Sequence, residues 1–364
     1  MKIAMTHVNL PNESKGGVAF QVHYLANALT ERGHDVTMFT FSPAWEECRY
    51  RVHRLALAPS LRRVFSFVLA AHLARTDFGA FDVVHTNGDN FLMRPNRFPQ
   101  VRTFYGSARD EATHAVRLRR RLYQNVLAGL ERRGVRLADI SVGISEATRA
   151  RVPGLSHVVP CGVDVARFRP GTKAERPVLL FVGTAGGRKR GTLLAETFAR
   201  EIRPRFADAE LWTVADQPLA GNGVTNFGKV PLETLADLYR RAWVFCLPST
   251  YEGFGVPYIE ALASGTAVVA TPNAGAREVL GEGAWGVLAN DQGLGQAINR
   301  LFADATARTG LARRGREHAL NFAWERIAQR YERLYAQAAA AAAAHRRRQP
   351  HTAPISPAVR PPRP

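Results

Sequence analysis

Short apolar runs alternate with helical patterns along almost the whole chain, and this alternation limits the possible folds more than any other feature. The runs predicted to be strands are Lys2 to Val8, Val36 to Phe41, Asp82 to Thr86, Ile140 to Ile144, Val178 to Val182, Glu210 to Val214 and Val244 to Leu247. Such alternation is typical of parallel sheets covered by helices. The predicted class is therefore α/β.

The length predicts two domains, because 364 residues exceed one ordinary core of ~100 to 200 residues. Residues 160–177 contain three prolines and two glycines without a sustained period, as an interdomain linker does. We predict an N-terminal domain over residues 1–165, a C-terminal domain over 166–321 and a last helix over 322–337. Residues 338–364, rich in Ala and then in Arg and Pro, are predicted to be a disordered tail that cannot pack.

The charge favours anionic partners. The formal net charge is +18, which suits phosphate esters, an anionic membrane surface or nucleic acid. Nucleic-acid binding is not expected, because no interleaved aromatic pattern or known module accompanies the charge.

Cysteine content and hydropathy predict a cytoplasmic protein. The three cysteines are an odd number without a Cys-x-x-Cys pair, which argues against a disulfide framework or a structural zinc site. The N-terminus lacks the apolar core of a signal peptide. The longest apolar run, Val64 to Ala74, is shorter than the ~20 residues that span a bilayer.

The segment from Pro248 to Ala270 is predicted to run from a strand through a glycine-containing loop into a helix. Gly253 and Gly255 would let backbone N–H groups approach a ligand at the positive end of that helix, which is an anion-binding geometry. Glu252 lies in the loop and Glu260 in the helix, so both carboxylates can face one cleft and accept hydrogen bonds from hydroxyl groups of a ligand. The alternative is that both are solvated charges at a helix start.

Three consecutive cations, Arg188, Lys189 and Arg190, lie in a loop after the strand from Val178. They can neutralise an anionic group, although a solvated basic turn is the alternative. Other sequence motifs for phosphate or metal binding are absent or lie in the wrong structural context. No G-x-x-x-x-G-K-[ST] or Asp-x-Asp occurs, and Gly281, Gly283 and Gly286 follow a helical segment where a dinucleotide motif requires a strand. No metal and no cofactor is therefore expected.

The segment from Pro248 resembles the signature of the family-four retaining glycosyltransferases of the GT-B fold, a Glu followed by seven residues and a second Glu. The matching residues are Pro248, Ser249, Glu252, Gly253, Phe254, Gly255, Pro257, Glu260, Ala261, Ala263 and Gly265. Further landmarks in family order are Gly16, Gly17, Ser145, Glu146, Gly162, Val163, Asp164, Phe168 and Pro170. The resemblance extends over about residues 1–335.

This resemblance implies two Rossmann-like, doubly wound domains that face a central cleft, with the last helix crossing back to the first domain. In such enzymes the C-terminal domain holds a nucleotide-sugar donor and the N-terminal domain holds the acceptor. Glu260 is implied as a ribose-hydroxyl ligand and Glu252 as the carboxylate beside the sugar. The remaining donor-side residues implied are Gly16, Gly17, Gly253, Phe254, Gly255 and Val256.

The family usually has an Arg directly after the first glycine of the basic loop and a Lys several residues later, but here Thr184 takes the first place. We therefore assign the two charges that neutralise the departing diphosphate to Arg188 and Lys189, with Arg190 as a substitute for either.

His85 ends a predicted strand, and a lone His there is often structural. Ligands sit at strand ends in doubly wound sheets, and the family places an active-site His near this point, so His85 is predicted to contact the sugar. Asp89, Tyr105 and Gly106 are assigned to the acceptor side; relatives often have His-Gly where Tyr105 and Gly106 stand.

Residues 117–136 form a predicted basic helix with Leu118, Leu122, Val126 and Leu130 at steps of four. Two readings stay open: the apolar stripe packs on the sheet, or the helix docks on a membrane surface. With the arginines of the tail, its charges can hold the enzyme on anionic headgroups.

The predicted function is transfer of a sugar from a nucleoside-diphosphate sugar to an acceptor hydroxyl, with retention and without metal. The acceptor is a lipid-linked or saccharide molecule of cell-envelope polysaccharide or glycolipid synthesis, and the enzyme is cytoplasmic or peripheral at the inner membrane face. The enzyme alternatives are a GT-B sugar epimerase or phosphorylase. The alternative of another class is a non-catalytic basic scaffold that binds membrane or nucleic acid.

Overall fold

A computed structural model describes residues 1–11, 16–95, 97–113 and 118–348 of the chain. The strands are β1 (Lys2–Thr6), β2 (Asp35–Thr40), β3 (Arg51–Arg54), β4 (Val83–Thr86), β5 (Gln100–Phe104), β6 (Ile140–Gly143), β7 (His157–Val158), β8 (Val178–Gly183), β9 (Glu210–Ala215), β10 (Val224–Asn226), β11 (Val244–Leu247), β12 (Ala267–Ala270) and β13 (Val287–Leu288).

The helices alternate with these strands. They are α1 (Gly17–Glu31), α2 (Phe65–Arg75), α3 (Ala108–Thr113), α4 (Leu118–Leu137), α5 (Glu146–Arg151), α6 (Gly191–Thr197), α7 (Leu232–Arg241), α8 (Val256–Ala263), α9 (Ala274–Val279), α10 (Leu294–Ala303), α11 (Ala305–Ala319) and α12 (Trp324–Arg348). Short 3₁₀ turns cover Pro59–Val64, Gly187–Lys189, Gly281–Gly283 and Leu320–Phe322, and a π-helical turn covers Phe198–Ile202.

The strands form two parallel sheets, one in each half of the chain. The first has the order β3-β2-β1-β4-β5-β6-β7 and the second the order β10-β9-β8-β11-β12-β13. In each sheet the strands are added first on one side of the initial strand, β1 or β8, and then on its other side. This is the doubly wound arrangement. The predicted α/β class with two Rossmann-like units is confirmed.

Burial follows from the composition of the central strands. The residues of β11 and β12, VFCL and AVVA, are all buried, as expected of parallel strands covered by helices on both faces. Strands at the sheet edges are shorter or more polar, and β3 (RVHR) is largely exposed. The edge strands β3, β7, β10 and β13 were not predicted because two to four residues with little apolar pattern give no periodic signal. The interior strands β5 and β12 were not predicted either.

The last helix crosses from the second half back to the first. Ile327, Tyr331 and Leu334 of α12 are buried with β1, β4 and α1 in a single hydrophobic cluster. At the surface, the Arg32 guanidinium donates to both carboxylate oxygens of Glu332, at 2.7 and 2.9 Å. The crossing that the family resemblance implied is therefore present.

The prediction that the alanine segment cannot pack is wrong. α12 extends beyond residue 337 to Arg348, and Ala338 and Ala342 on it are buried. Small side chains bury little area each, but extension of a helix that already lies on the sheet avoids the cost of nucleation, and alanine has the highest helix propensity. Residues 349–364 of the predicted tail lie outside the described residues.

Candidate active site

A cavity of about 650 Å³ lies between the two halves, where loops that follow strands of both sheets meet. The first half lines it with Gly17, Val18, Gln21, Tyr105, Gly106, Ser107, Ala108, Gln124, Leu127, Glu131, Ile144 and Cys161. The second half lines it with Arg188, Lys189, Tyr251, Glu252, Gly253, Phe254, Gly255, Val256, Pro257 and Glu260. Ligands bind in this position in parallel α/β sheets, outside the carboxyl ends of the strands.

Direct contacts join the two walls of the cavity. Ser145 caps α5 by accepting the Thr148 N–H at 2.9 Å, and its hydroxyl donates to the Gly253 carbonyl at 2.7 Å. Within the first half, Gln21 exchanges two hydrogen bonds with the backbone of Gly162, at 2.9 and 3.0 Å, which hold α1 against the segment that leads to the second half. Ser145 therefore both opens α5 and connects the two halves.

Gly255 shapes the entrance to α8. It takes a left-handed conformation with φ of 98°, and a Cβ atom there would lie 2.4 Å from the Tyr258 ring. Only glycine fits both the dihedral angle and the space. The chain can therefore turn sharply from the loop into α8 and present the amide end of the helix, with its partial positive charge, to the cavity. Pro257 lies in the first turn of α8, where its missing N–H group leaves no helical hydrogen bond unmade.

Glu252 lies between two cations. Its carboxylate is 3.0 Å from the Arg188 Nη1 atom and 2.7 Å from the Lys189 Nζ atom, and its side chain is only 6% exposed. Burial lowers the pKa of Lys189, whereas Glu252 opposes that shift. Two cations face the Glu252 carboxylate, so this group of three side chains carries one positive charge, which suits a further anion.

The backbone holds this basic turn against the glycine loop. The Arg188 carbonyl accepts the Thr250 N–H at 2.9 Å and the Ser249 hydroxyl at 3.0 Å. The Arg188 guanidinium donates to the Tyr251 carbonyl at 2.6 Å. The predicted cations and carboxylate are therefore positioned by one hydrogen-bonded unit.

Glu260 faces the same cavity from the second turn of α8. Burial raises the pKa of its carboxyl to about 7, and Tyr239 and Lys189 oppose this shift. Because its pKa is near 7, this carboxyl is partly ionised at neutral pH, and the ionised form can accept hydrogen bonds from the hydroxyl groups of a ligand. The prediction that both glutamates face one cleft is therefore confirmed.

Arg190 does not reach the cavity. It adopts a left-handed conformation with φ of 54°, and its guanidinium donates to both oxygens of Asp291, at 2.7 and 2.9 Å. A third bond goes to the Pro248 carbonyl at 2.6 Å. The suggestion that Arg190 substitutes as a donor-binding cation is corrected: it fixes the ends of two loops.

His85 is also placed elsewhere. It is fully buried, with Nδ1 2.7 Å from the Tyr335 hydroxyl and Nε2 2.8 Å from the Thr103 hydroxyl. Burial lowers its pKa to about 3, so the ring is neutral. Both ring nitrogens are occupied under α12, and the predicted sugar contact of His85 is corrected to a structural role.

Asp89 is not part of the cavity wall either. It has φ of 53° and lies beside the buried Arg102. Burial raises the pKa of Asp89 to about 6, although the charge of Arg102 opposes this shift. The prediction that Asp89 lies on the acceptor side of the cavity is therefore wrong: its carboxyl pairs with the buried charge of Arg102. Tyr105 and Gly106, by contrast, do line the cavity, and so does Gly17. Gly16 is the N-cap residue of α1 and does not line it.

Two polar side chains of the first half, which the sequence analysis did not single out, have a buried atom without a described partner, although neither side chain lines the cavity. The Tyr105 hydroxyl donates to Asn87 Oδ1 at 3.1 Å, while Asn87 Nδ2 is buried without a hydrogen-bond partner in the described part of the chain. His7 Nδ1 accepts the Val8 N–H at 2.8 Å, so the neutral ring carries its proton on Nε2, which also lacks a described partner. Both residues directly follow strands, a position that could have identified them.

Within residues 1–11, 16–95, 97–113 and 118–348, three or more His, Cys, Asp or Glu side chains do not converge as a metal ligand set. Among the helices of these ranges, none combines the length and apolar character needed to span a bilayer.

Known proteins match both halves of the chain. The profile described as "Glycosyltransferase Family 4" matches residues 15–167, and "Glycosyl transferases group 1" matches residues 176–304. The MMP alpha-(1->4)-mannosyltransferase of Mycolicibacterium hassiacum is 28% identical, over 89% of this chain and 95% of that protein. The phosphatidyl-myo-inositol mannosyltransferase of Mycolicibacterium smegmatis is 27% identical, over 88% and 90%.

The fold has a close structural counterpart in the sucrose-phosphate synthase of Thermosynechococcus elongatus. The two superpose with a TM-score of 0.75 at 23% identity, covering 93% of this chain and 99% of the other. The profiles, relatives and architecture agree with the glycine loop and its two glutamates. The chain belongs to the family-four glycosyltransferases of the GT-B fold.

Proposed function

We propose that this glycosyltransferase uses a nucleoside-diphosphate sugar as donor and transfers the sugar to an acceptor hydroxyl with retention of configuration. The observation that carries the proposal is the buried Glu252 carboxylate between Arg188 and Lys189, at the amide end of α8. A diphosphate suits this place because it can take up the surplus positive charge and accept hydrogen bonds from the helix amides.

The donor would lie along the second half of the cavity. Its diphosphate would contact Arg188, Lys189 and the amides from Gly253 to Val256, and its ribose hydroxyls would reach Glu260. The cations that now hold Glu252 would turn toward the phosphates, leaving the carboxylate to accept hydrogen bonds from the sugar. One buried carboxylate would thus exchange a cation contact for a sugar contact when the donor binds.

The chemistry follows from this arrangement. The bond between the anomeric carbon and the diphosphate oxygen breaks, and the acceptor oxygen bonds to that carbon on the same face. The acceptor proton passes to the departing phosphate. Arg188 and Lys189 stabilise the charge that develops on the leaving group, so we propose that the reaction needs no divalent metal or cofactor.

The acceptor would enter from the first half, beside Tyr105, Gly106 and the face of α4 that carries Gln124 and Glu131. Two relatives are named mannosyltransferases, and one of them is named for phosphatidyl-myo-inositol. We therefore propose an acceptor of cell-envelope polysaccharide or glycolipid synthesis, lipid-linked or saccharide, and a site of action at the inner face of the membrane.

A turnover assay with a panel of nucleotide sugars and saccharide or lipid-linked acceptors tests the proposal. We expect nucleotide release together with a new glycosidic product, and an anomeric configuration unchanged by NMR. Glu252→Gln should reduce transfer about 100-fold or more, whereas Glu282→Gln, on the surface, should leave it unchanged. Nucleotide release without a glycoside, or an inverted product, would contradict the proposal.

A further inference from the structure

We propose that an apolar and basic surface on the first half of the chain docks this enzyme onto an anionic phospholipid bilayer. The surface consists of the turn Pro59–Val64, the start of α2 and the outer face of α4, and we call it the docking surface. The inference extends the proposed transfer to lipid-linked acceptors by naming the surface that brings the enzyme to them.

The outer face of α4 is uncovered. Leu118, Leu122 and Val126 are 70%, 58% and 56% exposed. They follow one another at steps of four residues, so they form one stripe along the helix. The stripe therefore does not pack on the sheet, and that reading of the sequence is wrong for these three residues.

A second exposed apolar segment lies next to this stripe. Leu61, Val64 and Phe65 are each more than a third exposed. The two segments belong to one surface, because the ring of Phe67 on α2 contacts that of Tyr123 on α4 with centroids 6.4 Å apart.

Exposed apolar side chains are concentrated in this region. Six of the nine large apolar side chains that are exposed in the described part of the chain belong to the docking surface. Scattered single apolar side chains need no explanation, but a cluster of this kind marks a site of interaction with a partner or membrane.

The charge of the docking surface selects the partner. Arg62 and Arg63 are exposed beside the first segment, and Arg119 and Arg121 are exposed beside the stripe. The sequence has no acidic residue from 55 to 76 or from 112 to 130. Apolar side chains that enter the interface, flanked by arginines that meet the headgroups, suit a bilayer with anionic lipids.

The opposite face of α4 explains why docking would serve catalysis. Gln124, Leu127 and Glu131 line the cavity, and on a helix they lie roughly opposite Leu118 and Leu122. One helix therefore has one face in the cleft and the other in the docking surface. Binding to a bilayer would hold the acceptor side of the cleft at the membrane, where a lipid-linked acceptor is concentrated.

Vesicle flotation of the full chain tests this inference. We expect binding to vesicles of phosphatidylcholine with 30% phosphatidylglycerol, about tenfold weaker binding to phosphatidylcholine alone, and weakening by salt. The triple variant Leu118→Ser, Leu122→Ser and Val126→Ser should bind the anionic vesicles at least about tenfold more weakly. Leu320→Ser, which changes an exposed leucine outside the docking surface, should bind like the wild type.

The outcomes separate this inference from the proposed function. If the wild type does not bind anionic vesicles, or the triple variant binds them equally well, the docking surface is refuted even where sugar transfer is observed. Vesicle binding without any sugar transfer refutes the proposed function and leaves the docking surface standing. The triple variant should retain wild-type transfer to a soluble acceptor, since none of the three side chains lines the cavity. Capture of a soluble protein by the same face, without vesicle binding, also refutes a bilayer partner.

Discussion

The ammonium of Lys189 lies 2.7 Å from the carboxylate of Glu252, and Arg188 approaches the same carboxylate at 3.0 Å. Lys189 and Glu252 are 63 positions apart in the sequence and come from loops after different strands of one sheet. Without a donor, the carboxylate neutralises part of the charge that a diphosphate would otherwise meet. The donor site thus contains its own competing anion.

Glu252→Gln should therefore have opposite effects on binding and on turnover. The neutral amide no longer holds the two cations, so affinity for a nucleoside diphosphate should rise by about fivefold, on the order of 1 kcal/mol. Sugar transfer should fall because the carboxylate contact to the sugar is lost. Calorimetric titration with nucleoside diphosphates measures the first effect, with Glu282→Gln as the matched surface control. Unchanged or weaker diphosphate binding would show that Glu252 does not compete for the cations.

Gly255→Ala should damage the donor site directly. The new methyl group meets the Tyr258 ring at 2.4 Å and forces a side chain into a left-handed backbone conformation. We expect a loss of about 1–3 kcal/mol in the free energy of unfolding and at least tenfold weaker donor binding. Gly186→Ala is the matched control, because a Cβ there meets no atom and φ is −104°. Equal donor affinity in both variants would show that the left-handed turn at Gly255 does not shape the donor site.

Glu260 should make stability depend on pH. Its folded-state pKa of about 7 lies above the ordinary value of 4.5 of a glutamate in the unfolded chain. Between these values the folded state holds more protons, so the contribution of this group to stability is present below pH 4.5 and is lost as pH rises through 7. Glu260→Gln removes the dependence. The melting temperature of the variant relative to wild type should therefore rise between pH 4.5 and 8, by a few degrees for ~1–2 kcal/mol.

The ligand-free protein is the right sample for that comparison, because a bound donor would stabilise the ionised carboxylate. A difference in melting temperature that stays constant across this pH range would show that Glu260 titrates normally.

Two tyrosine variants separate structural from functional side chains. Tyr335→Phe removes the hydroxyl that pairs with the buried His85 Nδ1 at 2.7 Å, which should cost about 1–3 kcal/mol of stability. Its kcat and KM should remain those of the wild type. Tyr105→Phe changes a cavity-lining residue, so it should alter KM or kcat with a smaller effect on the melting temperature. The reverse pattern would return His85 to the active site.

The sequence allowed the second half of the site to be predicted because its signal is local. The strand, the glycine loop, Pro257 and both glutamates occur within 23 consecutive residues, and each has a conformational preference of its own. Arg188 and Lys189 follow the first strand of the same half, where parallel sheets place ligand contacts. The fold class and the positions of most interior strands, though not of β5 and β12, were predictable for the same reason.

The errors concern contacts between distant segments. His85 and Tyr105 both follow the pattern of a polar residue at a strand end, and only the path of α12, which brings Tyr335 onto His85, tells them apart. The periodicity of α4 showed an apolar stripe but not whether anything covers it. Asp291, which pairs with Arg190, lies 101 positions from it, beyond the reach of local patterns.

The most direct test of the donor site is calorimetric titration of nucleoside diphosphates and the corresponding nucleosides against wild type and Lys189→Ala, with Lys229→Ala as an exposed control. We predict that at least one nucleoside diphosphate binds the wild type and Lys229→Ala equally, that its nucleoside binds far more weakly, and that Lys189→Ala lowers diphosphate affinity by about tenfold or more. Equal diphosphate binding by wild type and Lys189→Ala would contradict the assignment of the diphosphate to this pair of cations.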